Sequence, residues 1–96
     1  MATTIFGDFE WDDAKAESNV RKHGVTFEEG AEAYMDPLSV DVPDLAHAER
    51  TLTVGMSSSG VLVVVTSETD AGRTRIISAR KATASERRGY TQGGAP

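Results

Sequence analysis

The sequence predicts one α+β domain: an antiparallel sheet of four to five strands, two N-terminal helices on one of its faces, and a short C-terminal helix. A change of periodicity predicts this class. Apolar residues recur with helical spacing up to residue 36 and with a period of two from residue 38 to residue 80. The length of 96 residues suits a single domain, residues 1–96, of which we expect about residues 5–91 to be ordered.

The first element is a short strand around Phe9 and Trp11, where bulky and polar residues alternate. The aspartates that follow Trp11 are good N-cap residues, so a helix is predicted over residues 13–23, ending at Gly24. One face of this helix carries Ala16, Asn19, Val20 and His23.

The second helix begins at a capping box, in which Thr26 and Glu29 each accept the other's backbone amide. It ends before Pro37, because the residue that precedes a proline avoids the helical region. The large apolar side chains of this N-terminal half are predicted to form the core: Phe9, Trp11, Phe27, Tyr34 and Met35.

Four further strands follow, and short polar turns join the last three of them. Strands that are joined in this way are antiparallel. The run from Val61 to Val65 is apolar on both faces, which is typical of a central strand. The four predicted strands cover residues 38–42, 50–56, 61–67 and 73–80.

A second capping box, formed by Thr83 and Glu86, opens the terminal helix, which reaches Tyr90. This helix packs at an edge of the sheet or reaches a partner. Residues 93–96 are expected to be a frayed tail.

The charge is unevenly distributed. Residues 1–48 hold 11 acidic and 3 basic side chains, a balance of −8, whereas residues 49–96 hold 4 acidic and 7 basic ones, a balance of +3. The net charge of −5 argues against a protein that coats nucleic acid with its whole surface. A cluster of arginines in the second half could still bind one or two phosphates. The acidic half either attracts a basic protein partner or is a solvated face.

The composition excludes several classes of site. With no cysteine, the chain forms no disulfide and no thiolate metal site, and its two histidines are far apart. We therefore expect neither a metal nor a cofactor. The longest apolar run has five residues, too few to span a bilayer, and the N-terminus does not resemble a signal peptide. These features predict a cytoplasmic protein with no membrane contact.

Two groups of short motifs occur in a fixed order. The front group is Phe9-Glu10-Trp11-Asp12, Asn19, Lys22-His23-Gly24-Val25, Phe27-Glu28-Glu29 and Asp36-Pro37. The back group is Arg75-Ile76-Ile77-Ser78-Ala79-Arg80-Lys81-Ala82-Thr83, Glu86-Arg87-Arg88 and Tyr90. Together they resemble the BrnT family over roughly residues 6–90.

This resemblance implies a toxin of a type II toxin–antitoxin system with a fold like that of the RelE-like ribonucleases. It implies RNA as the substrate, cleavage that stalls translation, and neutralisation by a ribbon-helix-helix antitoxin of the BrnA type. It also implies that the complex represses its own operon, so that operator DNA is reached only through the antitoxin.

Metal-free RNA cleavage needs a base near the 2′-hydroxyl, cations around the phosphate and an acid at the leaving oxygen. The residues that suit these tasks as catalytic groups are His23, Arg75, Arg80 and Tyr90. Those that suit RNA binding are Lys22, Arg50 and Lys81.

Each of these assignments has a structural alternative. His23 either transfers protons or packs on its helix face, and Tyr90 either contacts RNA or seats the last helix. Arg75 and Arg80 are predicted to point to opposite faces of the last strand, unless a bulge or the strand end intervenes. Arginines on a sheet also form cross-strand ion pairs with carboxylates.

The sequence is also compatible with two other functions. The chain could be a catalytically weak interaction protein that acts as an antitoxin-bound co-repressor of its operon. It could also be a small DNA-binding regulator that acts alone, which its net acidity disfavours.

Overall fold

The computed structural model describes residues 2–92, which form six strands and three helices. The predicted frayed tail lies outside the described residues. In chain order the elements are β1 (Thr3–Phe6), β2 (Phe9–Asp12), α1 (Asp13–His23), α2 (Phe27–Tyr34), β3 (Val40–Pro43), β4 (Arg50–Ser57), β5 (Gly60–Glu68), β6 (Thr74–Lys81) and α3 (Ala84–Thr91).

The strands of the described chain form one mixed sheet in the order β1-β2-β6-β5-β4-β3. The prediction of a purely antiparallel sheet with four to five strands is therefore wrong in two respects. β1 forms a hairpin with β2 through a turn at Gly7, whose φ is +61°. The side chains of β1 are mostly exposed, so the sequence shows no alternation of polar and apolar residues that would predict this strand. β2 pairs in parallel with β6, because the helices and three intervening strands return the chain beside its start.

The helix ends agree with the sequence. Asp12 caps α1 by accepting the amide of Lys15, and Gly24 ends that helix in the left-handed region at φ +67°. Both capping boxes are present, at the starts of α2 and α3. Local chemistry therefore sets these boundaries.

Helices α1 and α2 pack on one face of the sheet, as predicted. The core between them and the sheet includes Phe9, Trp11, Phe27, Leu62, Val64, Ile76 and Ala79. α2 approaches β4 so closely that a Cβ atom on Gly55 would lie 2.0 Å from the carbonyl oxygen of Ala33. Met35 is 68% exposed, so its predicted place in the core is wrong.

Helix α3 lies on the opposite face of the sheet. Tyr90 packs there against a small cluster formed by Val54, Val63 and Ala82. No residue of α3 is buried. Hydrophobic burial therefore holds this helix only weakly, and polar contacts matter more for its position.

Asn19 joins three parts of the molecule. Its amide nitrogen donates to the carbonyl oxygens of Val25 (2.9 Å) and Ala79 (2.8 Å), and its amide oxygen accepts from the Ala79 nitrogen (3.1 Å). β2 pairs with β6 only at residues 74 and 75, so Asn19 takes the place of a neighbouring strand further along β6. The buried face of α1 is thus centred on Asn19, while Val20 and His23, predicted on the same face, are exposed.

Candidate functional site

A β-bulge in β6 decides which way its arginines point. Val65 pairs with Ser78 and Thr66 pairs with Ile76, so Ile77 is an extra residue without a partner. Ile76 and Ala79 consequently both face the helix-side core, although they are three residues apart. This shift places Arg75 and Arg80 on the same face of the sheet, the one that also carries α3.

The register of the neighbouring strands adds a third arginine to this face. Arg50 pairs with Ser67, and Ser67 pairs with Arg75 across the next strand. With strands about 4.8 Å apart, the backbones at Arg50 and Arg75 lie about 10 Å from each other. Arg80 lies four ladder positions further along β6, about 13 Å from Arg75. We call these three residues the arginine face.

Two of the three arginines are held by carboxylates. Arg80 binds Glu86 of α3 with both arms of its guanidinium, at 2.8 and 2.9 Å. Arg75 binds Glu10 of β2 at 2.6 Å. Arg50 is half-buried and makes no ion pair with any residue from 2 to 92. The arginine face therefore already binds anionic groups, and the geometry at Arg80 is the bidentate one that suits a phosphate.

The hydrogen bonds from Arg80 hold the pKa of Glu86 at about 2, well below its ordinary value. The same contact raises the pKa of Arg80. Each side chain is roughly one third exposed, at 36% and 29%. Glu86 is thus ionised at neutral pH and anchors the start of α3 to the sheet.

Tyr90 anchors the other end of α3. Its hydroxyl donates to the Asp36 carboxylate at 2.5 Å, and that carboxylate also accepts the amides of Leu38 and Met56. The bond from Tyr90 lowers the pKa of Asp36, and the bond to Asp36 raises the pKa of Tyr90. The arrangement favours Tyr90 as the residue that seats the last helix and disfavours it as a general base.

Lys22 and His23 lie apart from the arginine face. They line a hollow of about 270 Å³ between α1 and β6, together with Lys15, Ser18 and Ser78. Ser78 is two residues from Arg80 and belongs to the same face of β6, so this hollow opens beside the arginine face. His23 is exposed, which leaves it accessible for proton transfer.

Lys81 is separated from the other candidates. It pairs with Leu62, a residue of the helix-side core, and its ammonium group donates to the carbonyl oxygen of Ser59 at 2.9 Å. The structure thus brings Arg50, Arg75, Arg80 and Tyr90 to one face, with Lys22 and His23 at its border, and places Lys81 on the other side.

The decisive comparison is with protein families. Residues 11–86 match the model of a family described as the ribonuclease toxin BrnT of type II toxin–antitoxin systems. The chain belongs to the BrnT family. The matched residues include the arginine face and the hollow with Lys22 and His23, whereas Tyr90 and β1 lie outside the match. The resemblance inferred from the short motifs is therefore confirmed.

A solved BrnT structure shows the same architecture. The crystal structure of the Brucella abortus ribonuclease toxin BrnT, at 1.1 Å resolution, is similar with a TM-score of 0.62 and 22% sequence identity. The similarity covers 76% of this chain and 92% of the other. This similarity confirms the fold as an α+β domain with three helices and a mixed sheet. No protein with a curated description matches the sequence.

Residues 2–92 contain no group of three or more His, Asp or Glu side chains placed to hold a metal ion. Within that range no helix combines the length and hydropathy needed to cross a bilayer.

The position of α3 is expected to depend on pH. Because the folded-state pKa of Glu86 is about 2, its contact stabilises the folded state above the ordinary carboxyl pKa and is lost as pH falls from about 4.5 towards 2. Amide chemical shifts of α3, recorded across this range, should report its release. Glu86→Gln keeps the capping box but removes the charge, so its α3 shifts should show a smaller transition than those of the wild type. The part that remains comes from Asp36, which holds the other end of α3 through Tyr90. A transition of the same size in both proteins would show that another group controls the helix.

Proposed function

We propose that this BrnT-family member is a metal-independent endoribonuclease toxin that inhibits translation in the bacterial cytoplasm. We further propose that a ribbon-helix-helix antitoxin of the BrnA type neutralises it, and that it reaches operator DNA only through that antitoxin. The observation that carries the catalytic part is the bulge in β6, which turns Arg75 and Arg80 to the face that Arg50 of β4 also occupies, with the exposed His23 at the border of that face.

In the proposed reaction the 2′-hydroxyl of RNA attacks the adjacent phosphorus, and the bond to the 5′-oxygen of the next nucleotide breaks. Arg80 holds the scissile phosphate with its planar fork and stabilises the charge that builds up on its oxygens. His23 takes the proton from the attacking 2′-hydroxyl, as histidine side chains commonly do in acid–base catalysis, and the leaving 5′-oxygen takes a proton from water. Arg75 and Arg50 hold the flanking backbone, and the products are a 2′,3′-cyclic phosphate and a 5′-hydroxyl.

The remaining predicted residues have supporting roles in this proposal. Lys22 binds the RNA strand where it leaves the arginine face towards α1, and Tyr90 offers its ring to a base. Lys81 contacts RNA only beyond the end of β6, because its side chain lies on the other side of the sheet.

One observation favours a second candidate function. Both Arg75 and Arg80 are engaged by internal carboxylates, which RNA must displace before it is bound. A protein that never displaces them would be the catalytically weak co-repressor that acts through its antitoxin. Expression of the chain without a partner separates the two: growth arrest supports the toxin, and normal growth supports the co-repressor.

We expect the purified protein to cleave RNA in excess chelator and to leave 2′,3′-cyclic phosphate ends. The reason is that cations on the arginine face, rather than a metal, neutralise the phosphate. End-group analysis of a short labelled RNA measures this directly, and Arg80→Ala prepared in parallel controls for contaminating nuclease. Cleavage that stops with chelator and returns with magnesium would refute the mechanism.

A further inference from the structure

The hollow between α1 and β6 has the composition of an anion-binding site, and we call it the α1 hollow. Its lining includes Lys15, Ser18, Lys22, His23 and Ser78. No carboxylate of residues 2–92 lines it, and neither lysine forms an ion pair within that range. These five side chains all donate hydrogen bonds, so the group that suits the α1 hollow is one that accepts them, as the oxygens of a phosphate do.

Asn19 fixes α1 at the base of the α1 hollow. Its amide bonds to the backbone of Ala79 hold the helix against the side of β6 that faces away from β5. Lys15 lies about one helical turn before Asn19, and Lys22 lies nearly one turn after it. The two ammonium groups therefore enter the hollow from opposite ends, on flexible stems that let both reach the same anion.

The carboxylates at the start of α1 do not pair with these lysines. Asp12 caps the helix by accepting the backbone amide of Lys15, and Asp13 accepts the hydroxyl of Thr4. Glu17 lies on the opposite side of the helix from Lys15, because two residues correspond to a rotation of about 200°. The positive charge of the α1 hollow is thus available to a ligand.

The α1 hollow lies one nucleotide away from the proposed scissile phosphate. Ser78 precedes Arg80 by two residues on β6, a distance of about 7 Å along the strand. Consecutive phosphates of an extended RNA strand lie this far apart. A phosphate in the α1 hollow and a phosphate at Arg80 therefore belong to neighbouring positions of one strand.

The position of His23 sets the direction of that strand. His23 lines the α1 hollow, and in the proposed reaction it takes the proton of the attacking 2′-hydroxyl. This hydroxyl belongs to the nucleotide on the 5′ side of the scissile phosphate. The second phosphate of that nucleotide, at its 5′ carbon, is consequently the one that reaches the hollow.

We propose that the α1 hollow binds the 5′-phosphate of the nucleotide whose 2′-hydroxyl attacks, one position upstream of the scissile phosphate. Lys15 and Lys22 neutralise this phosphate, and Ser18 and Ser78 donate their hydroxyls to its oxygens. The inference rests on the proposed function, because it adds a second phosphate site to the same RNA surface. The protein then holds its substrate at two consecutive phosphates and fixes the polarity of the strand.

The test uses three dinucleotides that carry a 5′-phosphate, a 3′-phosphate or neither, with a 2′-deoxy first sugar that prevents cleavage. NMR titration should show that the wild type binds the 5′-phosphorylated one about tenfold more tightly than the unphosphorylated one, the effect of hydrogen bonds to a charged group. Lys15→Gln and Ser78→Ala should each reduce this ratio. Arg21→Gln is the matched control, since it removes a charge from an exposed residue of α1 outside the hollow and should keep the ratio. Thermal melts confirm that all variants fold.

Several results would overturn the inference. These are equal binding of all three dinucleotides, a preference for the 3′-phosphate, and a 5′-phosphate preference that survives in both hollow variants. Inorganic phosphate that binds as tightly as the 5′-phosphorylated dinucleotide would show a site for the free ion and would overturn the assignment to RNA. Wild-type protein that prefers the 5′-phosphate but does not cleave RNA would support the phosphate site and refute the proposed reaction.

Discussion

Arg80→Ala should lose RNA cleavage by about 10²–10³-fold while the protein remains folded. The guanidinium is placed on the sheet face in a bidentate geometry, as its contact with Glu86 shows. A donor that is fixed before the reaction stabilises the transition-state phosphate without reorganisation. Single-turnover rates on a short RNA, measured beside a thermal melt, give both quantities.

The matched control for this change is Arg21→Ala, which removes the same charge from an exposed position on α1. It should leave the rate within a few-fold of wild type. Removal of the Arg80–Glu86 ion pair should cost about 0–1 kcal/mol of folding stability, since both side chains are partly exposed. Undiminished cleavage by Arg80→Ala with an unchanged melt would transfer the phosphate-binding role to Arg75.

Asn19→Ala should destabilise the protein by about 3 kcal/mol or more. The change removes three hydrogen bonds and leaves the backbone N–H and C=O of Ala79 and the C=O of Val25 without this partner in a buried place. Each buried polar group left unsatisfied costs about 1–3 kcal/mol. Urea denaturation of wild type and variant measures the difference in the free energy of unfolding.

Glu17→Ala is the control for this substitution, because Glu17 is exposed on the same helix and should change stability by no more than about 0.5 kcal/mol. A loss below about 1 kcal/mol for Asn19→Ala would mean that water replaces the amide. In that case Asn19 would not serve as the neighbour of β6.

The features that the sequence predicts well depend on residues close together in the chain. Thr26 with Glu29 and Thr83 with Glu86 mark helix starts by direct hydrogen bonds, and both boxes are present. Gly24 ends α1 as its position predicts. The alternating strands from residue 40 to residue 81 also follow local pattern and short turns.

The features that the sequence does not predict depend on contacts between residues that are far apart in the chain. The bulge at Ile77 is defined by the pairing of β6 with β5, and no residue type in β6 indicates it. The buried role of Asn19 depends on Ala79, 60 residues away. The sequence places Asn19 on one helix face with Ala16 and Val20, and that position alone does not identify its partners.

The functional site shows the same division. Arginines and a histidine could be selected by residue type, but their faces could not. Regular alternation along the strand predicts Arg75 and Arg80 on opposite faces, whereas the bulge places both on the same face. The carboxylates that engage them, Glu10 and Glu86, come from β2 and α3, and only the tertiary structure brings them there.

The parallel pairing of β2 with β6 also has a consequence for synthesis on the ribosome. Glu10 and Arg75, which meet across this pair, are 65 residues apart. A nascent chain that ends before Thr74 lacks the strand between β2 and β5, so its sheet is split into two unconnected pieces. It also lacks Arg75, Arg80 and the core side chain of Ile76. The sheet and the arginine face are therefore completed only when the last strand leaves the exit tunnel.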